Sequence, residues 1–291
     1  MPQEITKSTK LIVVSIVLIA AILMIGVLPF VVPDMLNDIQ TNQKIRTEKF
    51  YADGNPQAPL IETTMAMVSW TYPLVTLLSM FAGFILLVIV KPFYKGEKWA
   101  KALTLLCLAM PTIAGAYMMV PYFNFMGAGW SPAFYYMIVG IISYFTVVLA
   151  VKSDFKQKLL SFWVFLMLGV TAAESWANGT ACHRILEGHP KMPFYADGIF
   201  ILFITRGINW LAVIFLLAAV YLVGMRRPAG WYAALIGALS AGIIGFATQT
   251  VRNATYDYLY QGLMGLAIVI TLLIPYVKER LVDVDKISTD E

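Results

Sequence analysis

Ile199–Val223 reads IFILFITRGINWLAVIFLLAAVYLV. About 25 residues of helix rise roughly 37 Å, enough to cross a hydrocarbon core about 30 Å thick. Only Arg206 and Asn209 interrupt the run with strongly polar groups. With Trp210 they stand at i, i+3 and i+4, on one face of a helix. A charge at membrane depth costs about 2.5–3.5 kcal/mol or more unless it is paired or hydrated. The stretch therefore sets the class of the protein and also points to a site.

Outward from it, comparable runs occur at Leu11–Val32, Thr71–Val90, Leu103–Val120, Ala133–Val151, Leu159–Ala177, Trp231–Thr250 and Tyr258–Tyr276. The chain is 59% hydrophobic and 13% charged, which is a membrane composition. The short alternating segments of a membrane β-barrel are missing. The expected fold is all-α, a polytopic membrane protein with eight transmembrane helices. Leu11–Val32 exceeds a signal-peptide core and no small-residue cleavage site follows, so it is read as the first span. Asp34–Ser69 is read as a long polar loop, and Val277–Glu291 as a charged tail.

Phe50-Tyr51-Ala52-Asp53-Gly54 recurs as Phe194-Tyr195-Ala196-Asp197-Gly198, 144 positions later. Further anchors pair Lys10-Leu11 with Lys158-Leu159, Lys91-Pro92 with Arg227-Pro228, Trp99 with Trp231, and Val151-Lys152 with Val277-Lys278. These matches predict an internal duplication. Residues 1–157 and 158–291 would then be two tandem four-helix bundles of the same orientation, because four spans is an even number. Most of the 21 basic residues flank the odd-span starts and even-span ends, and the positive-inside rule puts both termini in the cytoplasm of a cell-membrane protein. The net charge of +4 lies in short loops and gives no reason to expect a nucleic-acid partner; the lipid bilayer is the expected surrounding.

Polar groups collect at the outer ends of the second half. Glu174 and Asn178 are four apart, Arg206, Asn209 and Trp210 share a face, and Gln249, Arg252, Asn253 and Tyr256 form a further helical stripe. In the first half the equivalent positions are apolar or aromatic, so a shared packing need does not explain the charges. Two readings stand side by side: a ligand-binding pocket, or a Glu174–Arg206 ion pair that holds spans five and six in register. Cys182, His183, Glu187 and His189 could ligate zinc or copper, although their spacing matches no strong metal motif. The other reading is a polar outer loop, with Gly188 and Pro190 keeping any helix there short. Cys107 falls in a span and Cys182 in that loop, so no disulfide is expected.

Three function classes stay open. The first is a membrane subunit that binds a lipophilic molecule, a quinol or a lipid, in an outward-facing pocket. Eight spans in two bundles with an outer polar site resemble, in architecture alone, the membrane anchors of polysulfide-reductase-type complexes. That resemblance implies a quinone and a redox partner subunit carrying the iron–sulfur clusters for which this chain lacks cysteines. The second class is a transporter or channel, against which the spans offer few polar residues in their inner halves. The third is a structural or assembly subunit. The sequence holds no phosphate-binding glycine loop, HExxH or nucleophile elbow that would make it an enzyme of those kinds.

Overall fold

The computed structural model describes residues 6–127, 129–150, 153–188, 199–253 and 255–282. Among these the regular elements are all helices: α1 Lys7–Gly26, α2 Leu28–Ala52, α3 Ala58–Lys95, α4 Lys98–Met126, α5 Ala133–Leu149, α6 Phe155–Gly188, α7 Ile199–Gly224, α8 Pro228–Val251, α9 Asp257–Leu273 and α10 Pro275–Leu281. Six (α1, α3, α4, α6, α7 and α8) are long and apolar enough to cross a membrane, or seven if α9 and α10 count as one span; α5 is a shorter apolar helix. Ile12, Ile19, Phe81, Val88, Leu211, Ile214, Ile243 and Ile270 point outward and exposed, an apolar girdle suited to lipid. By length and composition these helices are those of a multi-pass membrane protein.

All eight apolar segments fall on helices, but three boundaries differ from expectation. Asp34–Ser69 is not a loop. The chain breaks only at Val27, and α2 runs on to Ala52. Its buried residues Leu28, Val32, Met35, Ile39, Gln43 and Thr47 recur every three or four positions and face α3. Two of the six are polar, so the stripe reads as loop in sequence. FYADG closes this helical hairpin. Gly54 adopts φ +63°, and Asn55 N–H returns to the carbonyl of Phe50 at 2.8 Å. Its second copy, residues 194–198, lies outside the described residues.

The second difference is in α6, which continues through Ala177 to Gly188, 34 residues and about 50 Å in all. Gly188 does not shorten it. A Cβ there would lie 3.0 Å from Leu60 Cα, so the glycine lets α6 close on the start of α3. The third difference is in the last predicted span, which turns by 85° at Ile274. Pro275 has no N–H to continue α9 and pushes the residue before it to an extended conformation (φ −73°, ψ 117°).

Packing closes two rings. In one, α1 packs on α3, α3 on α4, α4 on α5 and α5 back on α1; in the other, α6 packs on α7, α7 on α8, α8 on α9 and α9 on α6. The rings meet through α3, α4 and α5 against α6, and α4 against α7. Within the second ring small residues set the spacing. A Cβ on Gly265 would stand 2.6 Å from the Ala238 carbonyl and the Gly242 nitrogen.

The α3–α4 and α7–α8 corners are the same turn. Gly96 (φ +85°) donates to Phe93 O and Glu97 to Pro92 O; Arg226 (φ +59°) donates to Val223 O and Arg227 to Leu222 O. Both are left-handed helix caps with the same bond pattern. The Lys91-Pro92 and Arg227-Pro228 anchor does not survive this comparison. Pro92 lies inside α3, whereas Pro228 opens α8.

Candidate functional site

One end of the second ring holds a buried amide chain. Asn178 of α6 donates from Nδ2 to Gln261 Oε1 of α9 at 2.7 Å. Gln261 Nε2 in turn donates to Asn209 Oδ1 of α7 (2.7 Å) and to the Ala241 carbonyl of α8 (2.9 Å). One glutamine thus ties all four helices, with Gln261 and Asn209 fully buried. Gln261 is absent from the sequence-based set of site residues. Its signal was a lone carboxamide in the apolar run Tyr258–Tyr276.

Arg206 and Trp210 share a face of α7, as their spacing requires. The guanidinium lies over the Phe203 ring (5.2 Å) and near Trp210 (6.0 Å), and its Nη1 is 3.1 Å from His183 Nδ1. His183 also faces Trp210, ring centroids 5.8 Å apart. No Glu174–Arg206 ion pair forms among the described residues. Glu174 lies beside Asn178 and Asp257 instead. Arg206 reaches α6 nine positions further on, about 14 Å of helix rise from Glu174. This contact needs α6 to be helical past Ala177, which the sequence reading did not foresee.

The α8–α9 stripe divides. Gln249 caps the connection, donating to Thr255 O and accepting from Leu259 N–H, both at 2.9 Å. Asn253 and Tyr256 are exposed there, Tyr256 against the Tyr260 ring. Arg252 lies near Cys182, Arg184 and Tyr258. The structure therefore gathers Asn178, Arg206, Asn209 and Trp210 with His183, and leaves Gln249, Asn253 and Tyr256 in the connection.

Of the four candidate metal ligands, Cys182 is buried on α6 rather than in a loop, its Sγ 3.1 Å from Tyr258 Oη. His183 is 3.9 Å from Glu187, and His189 lies outside the described residues. Among the described residues no group of three such side chains converges on one point. Both cysteines are free.

Arg184 is a further member missed by the sequence reading, which placed it in a loop. Its Nη1 donates to Thr64 Oγ1 of α3 at 3.3 Å, across the junction of the two rings. Its Nε is one of four buried N–H donors here that have no acceptor among the described residues; the others are Trp176 Nε1, Asn209 Nδ2 and Trp210 Nε1. All four belong to α6 and α7, and a buried donor without an acceptor costs about 1–3 kcal/mol. Chemically the region is rich in donors and cations, and it can hold a group that presents acceptor oxygens to a membrane-buried wall. Comparison with protein-family models, curated proteins and solved structures finds no match.

Proposed function

We propose that this chain binds a lipophilic small molecule, a quinol or a lipid-like compound with acceptor oxygens, at the Arg206 end of its second ring. The observation that carries the reading is the set of unpartnered buried donors on Trp176, Arg184, Asn209 and Trp210. Donors alone select for carbonyl, carboxylate or phosphoryl oxygen, and the aromatic faces of Trp210 and Phe203 suit a flat or apolar body. Arg206 supplies a fixed charge, and His183 beside it is the group through which a proton could enter or leave. If the ligand is a quinol, its electrons pass to a redox partner subunit, since the chain has two free cysteines and cannot hold a cluster.

The chain is also proposed to make eight crossings as two like-oriented four-helix units with both termini in the cytoplasm. The two closed rings, the matching corners at Gly96 and Arg226, and the equal lengths of α5 and α9 (17 residues each) support this arrangement.

Tryptophan emission of the full chain in detergent, titrated with a short-chain quinone, tests the site. Saturable quenching is expected in the wild type. Trp210→Phe should lose most of the quenching amplitude, and Asn209→Leu should weaken the binding. Linear, unsaturable quenching identical in all three proteins would remove the quinol form of the proposal. Transport of a solute, or assembly alone, predicts no such difference between the variants.

A further inference from the structure

The amide chain of the second ring is anchored at both ends on backbone carbonyls, and this fixes the direction of every bond in it. A carbonyl oxygen can only accept. The Ala241 carbonyl therefore takes an N–H from Gln261 at 2.9 Å, which identifies that atom as Nε2. The carboxamide nitrogen carries a second hydrogen, directed at Asn209 across 2.7 Å, so the Asn209 atom facing it is the acceptor Oδ1. Gln261 Oε1 accepts from Asn178 Nδ2 at 2.7 Å, and the same Nδ2 lies 3.4 Å from the Asp257 carbonyl. Turning any one of the three amides over would set two donors or two acceptors against each other. Asn209 thus keeps its Nδ2 on the side away from Gln261, buried and without an acceptor among the described residues.

His183 is fixed in the same manner. Arg206 Nη1 stands 3.1 Å from His183 Nδ1 and can only donate, so Nδ1 accepts and the ring proton sits on Nε2. The Glu187 carboxylate, 3.9 Å from Nδ1, is beyond hydrogen-bond reach. Between the helices, Gly179 of α6 lets α7 come close. A Cβ on it would lie 2.7 Å from Trp210 Nε1 and 3.3 Å from Asn209 Cβ. Trp210 Nε1 is likewise a buried N–H without an acceptor among the described residues, so two neighbouring side chains of α7 present hydrogens only. The buried hydroxyls of Ser175 and Thr171, which can accept, lie about one and two turns further into the span than Gly179.

We propose that this fixed polarity makes the site selective for an oxygen that only accepts, the carbonyl of a quinone over the hydroxyl of its quinol, and that Gln261 is the positioning residue that sets it. The inference rests on the lipophilic-ligand reading of the Arg206 end. A carbonyl oxygen takes N–H bonds from Asn209 and Trp210 with nothing left over. A hydroxyl oxygen takes the same bonds, but its own hydrogen then meets donors. A buried donor without a partner costs enough to lower affinity about tenfold or more. Gln261 acts through Asn209. Without the hydrogen bond that holds Oδ1, Asn209 is free to turn over and offer the hydroxyl an acceptor.

The test measures the dissociation constants of decylubiquinone and, without air, decylubiquinol for the full chain in detergent. The wild type should bind the quinone about tenfold or more tighter than the quinol. Two variants address Gln261: Gln261→Leu removes both N–H donors, and Gln261→Glu keeps the length but gives up at least one of them. In both the ratio should fall below about threefold. A packing role alone would weaken quinone and quinol alike and leave the ratio where it was, which would overturn the role assigned to Gln261. Asn209→Leu removes the donor itself and must also lose the preference. A preference retained there overturns the proposal even if neither Gln261 variant folds. A wild type that binds both forms equally, or the quinol tighter, overturns the selectivity and leaves the lipophilic site standing. Binding of neither form removes the quinone reading of the site, and this inference with it.

Discussion

Replacing Gln261 by leucine tests what the amide chain contributes. The leucine fills nearly the same volume in α9 but removes the hydrogen bonds to Asn178, Asn209 and Ala241. The Ala241 carbonyl lies inside α8 and keeps its own helical bond. Asn178 keeps a long contact to the Asp257 carbonyl at 3.4 Å. Asn209 loses the only described partner of its Oδ1, and its Nδ2 already has none. Side-chain hydrogen bonds inside membranes average about 0.6 kcal/mol and reach about 1.7, so three of them amount to about 2–5 kcal/mol. Reversible unfolding in mixed micelles of rising SDS content measures this directly. Because the bonds are shared, Gln261→Leu and Asn209→Leu together should cost clearly less than the sum of the two. A Gln261→Leu protein within about 0.5 kcal/mol of wild type would refute the reasoning, as would strict additivity with Asn209→Leu.

Further outcomes follow from other contacts. Gly265→Ala should destabilise by about 1–3 kcal/mol in the same assay, because its Cβ meets backbone atoms of α8 that cannot move aside cheaply. Glu174→Gln and Arg206→Ala should show almost no coupling in a double-mutant cycle, since the two side chains are not paired; coupling above about 0.5 kcal/mol would restore the ion-pair reading. Asp154, outside the spans, is held below its ordinary carboxylate pKa by the hydrogen bond from Arg280 and then by the Gln157 backbone N–H. A depressed carboxylate stabilises above its unfolded pKa of about 3.9 and loses that contribution as pH falls through the lower folded value. Docking of α10 should therefore loosen below about pH 4, and Asp154→Asn should remove that part of the acid dependence, as read by proteolysis of the C-terminal end.

The membrane class was legible because apolar runs as long as a bilayer is thick have few other uses. The runs at Thr71–Val90 and Trp231–Thr250 both became long helices, and the glycines of α8 pack closely on α7 and α9. What escaped was helix whose buried face is partly polar. In α2 the stripe ends in Gln43 and Thr47, and in α6 the last turns carry Asn178, Cys182 and Ile185 inward among charges. Local breakers misled for a related reason, since Gly188 serves a close contact with Leu60 that sequence does not display. Arg206 and Asn209 were visible because a charge and an amide in an apolar helix stand out at i and i+3. Their partners were not, because Gln261 and His183 come from elements far away in the chain. The alternative reading, a Glu174–Arg206 ion pair, fails on distance along α6, a quantity that depends on where that helix ends.

The central claim is that the Arg206 end of the second ring holds a molecule with acceptor oxygens. Native mass spectrometry of the full chain, extracted in mild detergent, tests it most directly. The account predicts one tightly retained lipophilic compound bearing carbonyl, hydroxyl or phosphoryl oxygen per chain, lost on Asn209→Leu or Arg206→Ala while the protein stays folded. An identical set of bulk lipids on the wild type and both variants would contradict it.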